Sequence, residues 1–180
     1  MEKGYIQVYT GNGKGKTSAA IGVAIRAIGR GKRVAMGQFI KDPSFQYSEM
    51  LAVEEINKIG TPLGYIRMEQ FGCGCCIHQA PAATDFKGAR EGLDIVKGWI
   101  ESGEWDVVIL DEINIALHLG LIPMEEVVEM LRNKPEKVEI IVTGRYAPKE
   151  IIEIADLVTE MKEIKHYYQK GILSREGIDR

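Results

Sequence analysis

The sequence predicts an α/β fold in three layers, a mostly parallel sheet with helices on both faces. Three observations predict it. Short apolar runs alternate with stretches of helical period along the whole chain. Two runs, Val107-Val108-Ile109-Leu110 and Ile140-Ile141-Val142, are apolar without interruption, as central strands buried on both faces must be. Strands that alternate with helices imply right-handed crossovers and parallel pairing.

The elements follow in order. Residues 5–9 are an apolar, β-leaning run that stops at a glycine-rich turn. Residues 16–30 read as a helix closed by Gly29-Arg30-Gly31, and 33–40 as the second strand. Met50, Leu51, Val53 and Ile56 give 44–58 an apolar helical face. A short strand over 64–68 leads into an irregular stretch, 70–83, rich in Gly, Cys and Pro. A long helix over 85–102 ends before Gly103. The buried run 106–112 ends in two carboxylates, Asp111 and Glu112. Short helices over 113–119 and 124–132 are split at Gly120 and Pro123. A buried strand over 138–145 precedes a helix over 148–155, with Pro148 near its first turn. Residues 157–161 make the last strand, and 162–180 a charged, weakly periodic tail with basic and aromatic groups interleaved at 162–168, suited to an anionic ligand or a partner subunit, or else a solvated terminus. Ligands of such sheets gather at the carboxyl ends of the strands, which puts 11–17, 38–41, 111–114 and 144–145 on one rim.

At 180 residues, one domain over 1–180 is expected, with ordinary globular composition and enough chain for a sizeable core. A formal net charge of −3 and a pI near 5.7 argue against a general nucleic-acid binder. No apolar run nears the ~20 residues of a membrane span. Met1 to Gly4 lead straight into the first strand, leaving no room for a signal peptide, so the expected location is the cytoplasm. Cys73, Cys75 and Cys76 are odd in number and nearly adjacent, unlike a disulfide framework, and lack the second pair of a zinc site. They read as small apolar side chains in a loop lining a ligand pocket.

The chemistry centres on Gly11, Asn12, Gly13, Lys14, Gly15, Lys16 and Thr17, between the first strand and the first helix. Glycines let backbone N–H groups converge on phosphate oxygens, and the helix N-terminus adds partial positive charge. Lys16 adds a full charge, and the Thr17 hydroxyl is placed to hold Mg²⁺. The strict pattern G-x-x-x-x-G-K-[ST] wants glycine at position 10, where this chain has Thr10. The competing reading is a glycine-rich turn with solvated lysines. Asp111 or Glu112 would coordinate the metal beside Thr17, or else cap the following helix. Arg145, at the end of a buried strand, can reach a phosphate with its fork, or else pair with a surface acid.

With these residues assembled, the sequence resembles the ATP:corrinoid adenosyltransferase family, of the cob(I)yrinic acid a,c-diamide or cob(I)alamin type. The landmarks are Thr10 to Thr17, Gln38-Phe39-Ile40-Lys41, Trp105-Asp106 through Ile113-Asn114, Thr143-Gly144-Arg145, Ala155-Asp156 through Met161, Lys165-His166, Gly171-Ile172 and Gly177-Ile178-Asp179. The family's own phosphate loop also lacks the first glycine. The resemblance implies a RecA-like P-loop NTPase fold, usually a homodimer, that moves the 5′-deoxyadenosyl group of ATP to Co(I) and releases triphosphate, in cobalamin biosynthesis or salvage. It implies Mg²⁺ or Mn²⁺ on Thr17, Asp111 and Glu112, catalytic roles for Lys16, Thr17 and Glu112, and an electron donor, a flavoprotein or similar reductant. ATP would lie on 11–17 with Arg145. Some members carry a Phe-Thr-Trp segment near the cysteines that shields cobalt. It is absent here, and Phe71, beside the loop 72–77, is the ring expected to substitute on the corrinoid side. The rival readings are a nucleoside-kinase-like phosphotransferase and a non-catalytic, ATP-dependent corrinoid-binding protein.

Overall fold

Among the described residues six strands, β1 (Ile6–Thr10), β2 (Arg33–Gln38), β3 (Tyr65–Gln70), β4 (Val107–Asp111), β5 (Glu139–Thr143) and β6 (Leu157–Glu160), pair in parallel, in the order β3-β2-β4-β5-β1-β6. The computed structural model describes residues 2–60, 62–73 and 80–179. Within these residues the strands are connected by the helices α1 (Lys16–Ile28), α2 (Ser48–Ile59), α3 (Ala83–Glu101), α4 (Ile113–His118), α5 (Met124–Arg132) and α6 (Lys149–Ile154).

The buried strands divide their side chains between two cores. Val107 and Ile109 of β4 join Ala20, Ala24 and Ile28 of α1 and Val53 of α2 on one face. Val108 and Leu110, one residue out of phase, join Leu93 and Val96 of α3, Ile113 of α4 and Leu131 of α5 on the other. Each Val, Leu or Ile among them, fully withdrawn from water, contributes about 1.5–3 kcal/mol. A strand used on both faces cannot show a polar alternation, which is why these runs are continuous. Among the described residues no helix is long and apolar enough to cross a membrane.

The elements expected from sequence are present, with shifted ends. The helix expected over 44–58 begins only at Ser48. Asp42 diverts the chain first: its carboxylate accepts Ser44 N–H (2.8 Å) and its carbonyl accepts Phe45 N–H (3.1 Å). The helix expected to start at 85 starts at Ala83, because the Asp85 carboxylate reaches back to Ala82 N–H (2.8 Å). The tail contains a 3₁₀ turn, Tyr167–Lys170, closed by Gly171.

Phe71, the ring expected beside the corrinoid, is half-buried and packs against the core, at a centroid distance of 5.6 Å from Phe39 and 6.3 Å from Trp99. Its slot exists because two residues lack a Cβ. One added at Gly92 of α3 would lie 2.4 Å from the ring, and one at Gly37 of β2 would lie 2.7 Å away. Cys73 is free and exposed. The expectation that Cys75, Cys76 and the rest of the cysteine loop line a ligand pocket falls on residues 74–79, outside the described residues.

Candidate phosphate and metal site

The loop 11–15 joins β1 to α1 at the carboxyl edge of the sheet. Gly15 stands at the helix N-cap with φ 116°, and α1 has neither a side-chain cap nor an acidic residue in its first turn. Among the described residues the N–H groups of Gly15, Lys16, Thr17 and Ser18 meet no acceptor. Uncapped donors at the positive end of a helix dipole form an anion site. Gly13 N–H is already spent on Met161 O (2.7 Å), and Asn12 is exposed. Thr10 earns its place at the missing glycine: its Oγ1 accepts Ala147 N–H (3.2 Å) and ties the β5–α6 connection to the loop.

Lys16 is buried, and its Nζ donates to Gly11 O (2.9 Å) and Gly13 O (2.8 Å). Burial pushes its pKa below the ordinary lysine value, an effect that Glu112 opposes and Arg145 reinforces. A desolvated cation with only two carbonyl partners is ready to exchange them for phosphate oxygens.

β1 and β4 are not neighbours; β5 lies between them, and its last residue connects the two halves of the site. Asp111 Oδ1 accepts Thr17 Oγ1–H (2.9 Å) and Thr143 Oγ1–H (2.7 Å), while Oδ2 accepts Gln38 Nε2–H (3.0 Å). Thr143 Oγ1 accepts Glu112 N–H in turn (3.0 Å). Asp111 is fully buried and its oxygens are engaged by three side chains. Glu112, at the N-cap of α4 with φ 60°, has no hydrogen-bond partner on its carboxylate among the described residues. Left-handed backbone at a non-glycine residue is strain, held by the Thr143 bond.

Burial, then the nearby Asp111 charge, pushes the Glu112 pKa up to about 7, while Lys16, Lys41 and Arg145 pull the other way. The folded chain therefore holds a proton that the unfolded chain has released above about 4.5. Without metal or nucleotide, stability should fall as pH rises from about 4.5 to 7. Urea midpoints across that window in a chelator, compared with Glu112→Gln, check this; equal slopes in the two proteins would contradict it.

The donor set fits a small hard cation. All three expected ligands offer oxygen, and Thr17 Oγ1 and Asp111 Oδ1 stand 2.9 Å apart. Among the described residues no three His, Cys, Asp or Glu side chains form a cage of their own. A magnesium here would be shared with phosphate, the usual habit of that ion.

Arg145 is exposed and makes no ion pair among the described residues, so the competing salt bridge is not formed. Lys14 is taken by Asp179 (3.1 Å). Sequence reasoning missed Thr143 and Gln38 as partners of Asp111, and Asp179 as the partner of Lys14. It also missed Tyr146, with φ 60°, stacked on His118 at 4.3 Å beside Arg145. Thr143 and Gln38 stood among the family landmarks, and a hydroxyl or amide at the exit of a buried strand was the available signal.

The profile of the ATP:corrinoid adenosyltransferase family (BtuR/CobO/CobP) matches residues 2–179. An uncharacterised protein of Nostoc sp. is 42% identical over 91% of this chain, which spans only 45% of that protein's length. The corrinoid adenosyltransferase of Escherichia coli K12 is 35% identical, with 99% of this chain and 86% of that one covered. Among solved structures, the RadB recombinase superposes with a TM-score of 0.52 at 16% identity, over 92% of this chain and 77% of that one. A KaiC-like protein of Pyrococcus horikoshii gives 0.52 at 18%, over 88% and 73%. At such identities these two show the fold alone, the RecA-like P-loop architecture. The full-length profile match and the curated relatives place this chain in the ATP:corrinoid adenosyltransferase family.

Proposed function

We propose that the protein transfers the 5′-deoxyadenosyl group of ATP to the Co(I) centre of a corrinoid and releases tripolyphosphate. The observation that carries this reading is the convergence of Lys16, Thr17, Asp111 and Glu112 at the uncapped end of α1, in a chain of this family.

In the reaction a cobalt electron pair attacks the ribose C5′, a Co–C bond forms, and the C5′–O bond breaks with its pair leaving on the triphosphate. The nucleophile carries no proton, so no general base is needed. The chain's task is to hold C5′ in line and to stabilise charge growing on the leaving group. The free N–H groups of residues 15–18 and the Lys16 ammonium supply that stabilisation, and Arg145 adds a fork at the rim. Asp111 orients the Thr17 hydroxyl, and Glu112, with unengaged oxygens, is the carboxylate that would face a metal. Mg²⁺ or Mn²⁺, held with Thr17 and Glu112, would supply further positive charge to the leaving oxygens.

Phe71, half-buried against the core, and the loop that follows it would form the corrinoid side. The family resemblance further suggests a homodimer in the cytoplasm, served by a flavoprotein or similar electron donor. The test is to incubate the protein with ATP, Mg²⁺ and chemically reduced cobalamin. The Co(I) spectrum should decay, a photolabile product should form, and tripolyphosphate should appear. ADP in its place would mean phosphoryl transfer and end this proposal; ATP bound without turnover would reduce the protein to a carrier.

A further inference from the structure

The chain beyond β6 stays with the phosphate loop. Met161 N–H donates to Thr10 O (2.8 Å), and Met161 O accepts Gly13 N–H (2.7 Å). The approach is so close that a Cβ at Gly11 would lie 2.5 Å from Met161 O, and one at Gly13 2.7 Å from it. The segment then turns through Tyr167–Lys170 and comes back to the same loop. There Lys14 Nζ donates to Ile178 O (2.8 Å) and pairs with Asp179 (3.1 Å). Gly177 N–H donates to Ser48 Oγ (3.1 Å) in the first turn of α2.

Asp179 is the knot of this strap. Its side chain is only 11% exposed. The Tyr167 hydroxyl donates to it, as do Arg175 N–H and Nε–H (3.1 Å each). Tyr167 first, then Arg175 and Lys14, hold its carboxyl well below the usual range. An exposed ion pair alone would be worth little. Four donors converging on one nearly buried carboxylate make a fixed point.

The loop needs such a point. Glycines at 11, 13 and 15 leave it more freedom than any other composition would, and a ligand that must order it loses affinity in doing so. We propose that Asp179 is a positioning residue for the nucleotide: through Lys14 it holds the middle of the phosphate loop in the shape that receives the triphosphate. Lys14 is then the anchor of the strap, its ammonium being already engaged. This rests on the phosphate-loop reading above.

The experiment measures KM for ATP, KM for cob(I)alamin, kcat and thermal midpoint in Asp179→Asn, Lys14→Ala and the double variant, with Lys16→Ala alongside. Asp179→Asn, an isosteric change, should raise the ATP KM about tenfold. The corrinoid KM and kcat should stay within about twofold and the fold should be intact by circular dichroism. In the Lys14→Ala background the same change should do nothing further, because the two act as one unit. An unchanged ATP KM, additive effects, or a parallel rise in both KM values would overturn the proposal. Those failures are distinct from failure of the parent reading, which would appear as wild-type turnover in Lys16→Ala.

Discussion

Lys16→Ala is expected to abolish adenosyl transfer while leaving the fold in place. Lys16 is the buried cation of the loop, and the bond to be broken puts new negative charge on the oxygen it would face. Removal of a preorganised donor from such a site costs roughly 10²–10³ in rate, and a full charge belongs at or above the upper end. Stability should change little, because two effects oppose each other. The variant loses the bonds to Gly11 O and Gly13 O, and it is relieved of an ammonium whose burial is unfavourable. The loss of the Co(I) spectrum measures the first expectation and urea unfolding the second. Wild-type rates in this variant would remove Lys16, and the loop with it, from the mechanism.

What could be read in the sequence was whatever lies close along the chain. The run from β1 through the glycines to Lys16 and Thr17 is local, and so is the apolar run ending in Asp111 and Glu112. Both signals come from short-range periodicity and from backbone that only glycine adopts. Partners brought together by topology left no such mark. Thr143 reaches Asp111 because β5 is inserted between β1 and β4, a pairing order that no spacing records. Asp179 meets Lys14 only after the segment beyond β6 has folded back, and that segment has too little apolar period to reveal its path. Phe71 has packing partners that were hidden for a related reason. Its neighbours in sequence are a loop, but its neighbours in space are Gly37 and Gly92, whose missing side chains draw the ring inward. The division between Asp111 and Glu112 was also hidden, since both sit at one strand end and only the hydrogen bonds distinguish the engaged carboxylate from the open one.

Asp111→Asn should lower both stability and metal-dependent activity, although it changes one atom. The native carboxylate accepts from three donors, and an amide has one oxygen to offer. If its NH₂ faces β2, it meets Gln38 Nε2–H. Gln38 cannot turn over in response: the same nitrogen also donates to Glu49 (3.3 Å) and its oxygen accepts Gln70 Nε2–H (2.9 Å). If the NH₂ faces the loop instead, it meets the hydroxyls of Thr17 and Thr143. Thr143 must keep accepting Glu112 N–H, so its own proton is left without an acceptor. Either orientation buries an unmet donor, at about 1–3 kcal/mol. The Thr17 hydroxyl loses its orientation at the same time. An outer partner of a metal ligand is typically worth 10–100-fold in metal affinity, so the Mg²⁺ concentration at half-maximal rate should rise by about that factor. Glu112→Gln provides the contrast: its carboxylate holds no donor, so the Mg²⁺ requirement should rise without the loss of stability at neutral pH. If Asp111→Asn left both the urea midpoint and the Mg²⁺ requirement unchanged, the three-donor clamp would have no part in holding the site.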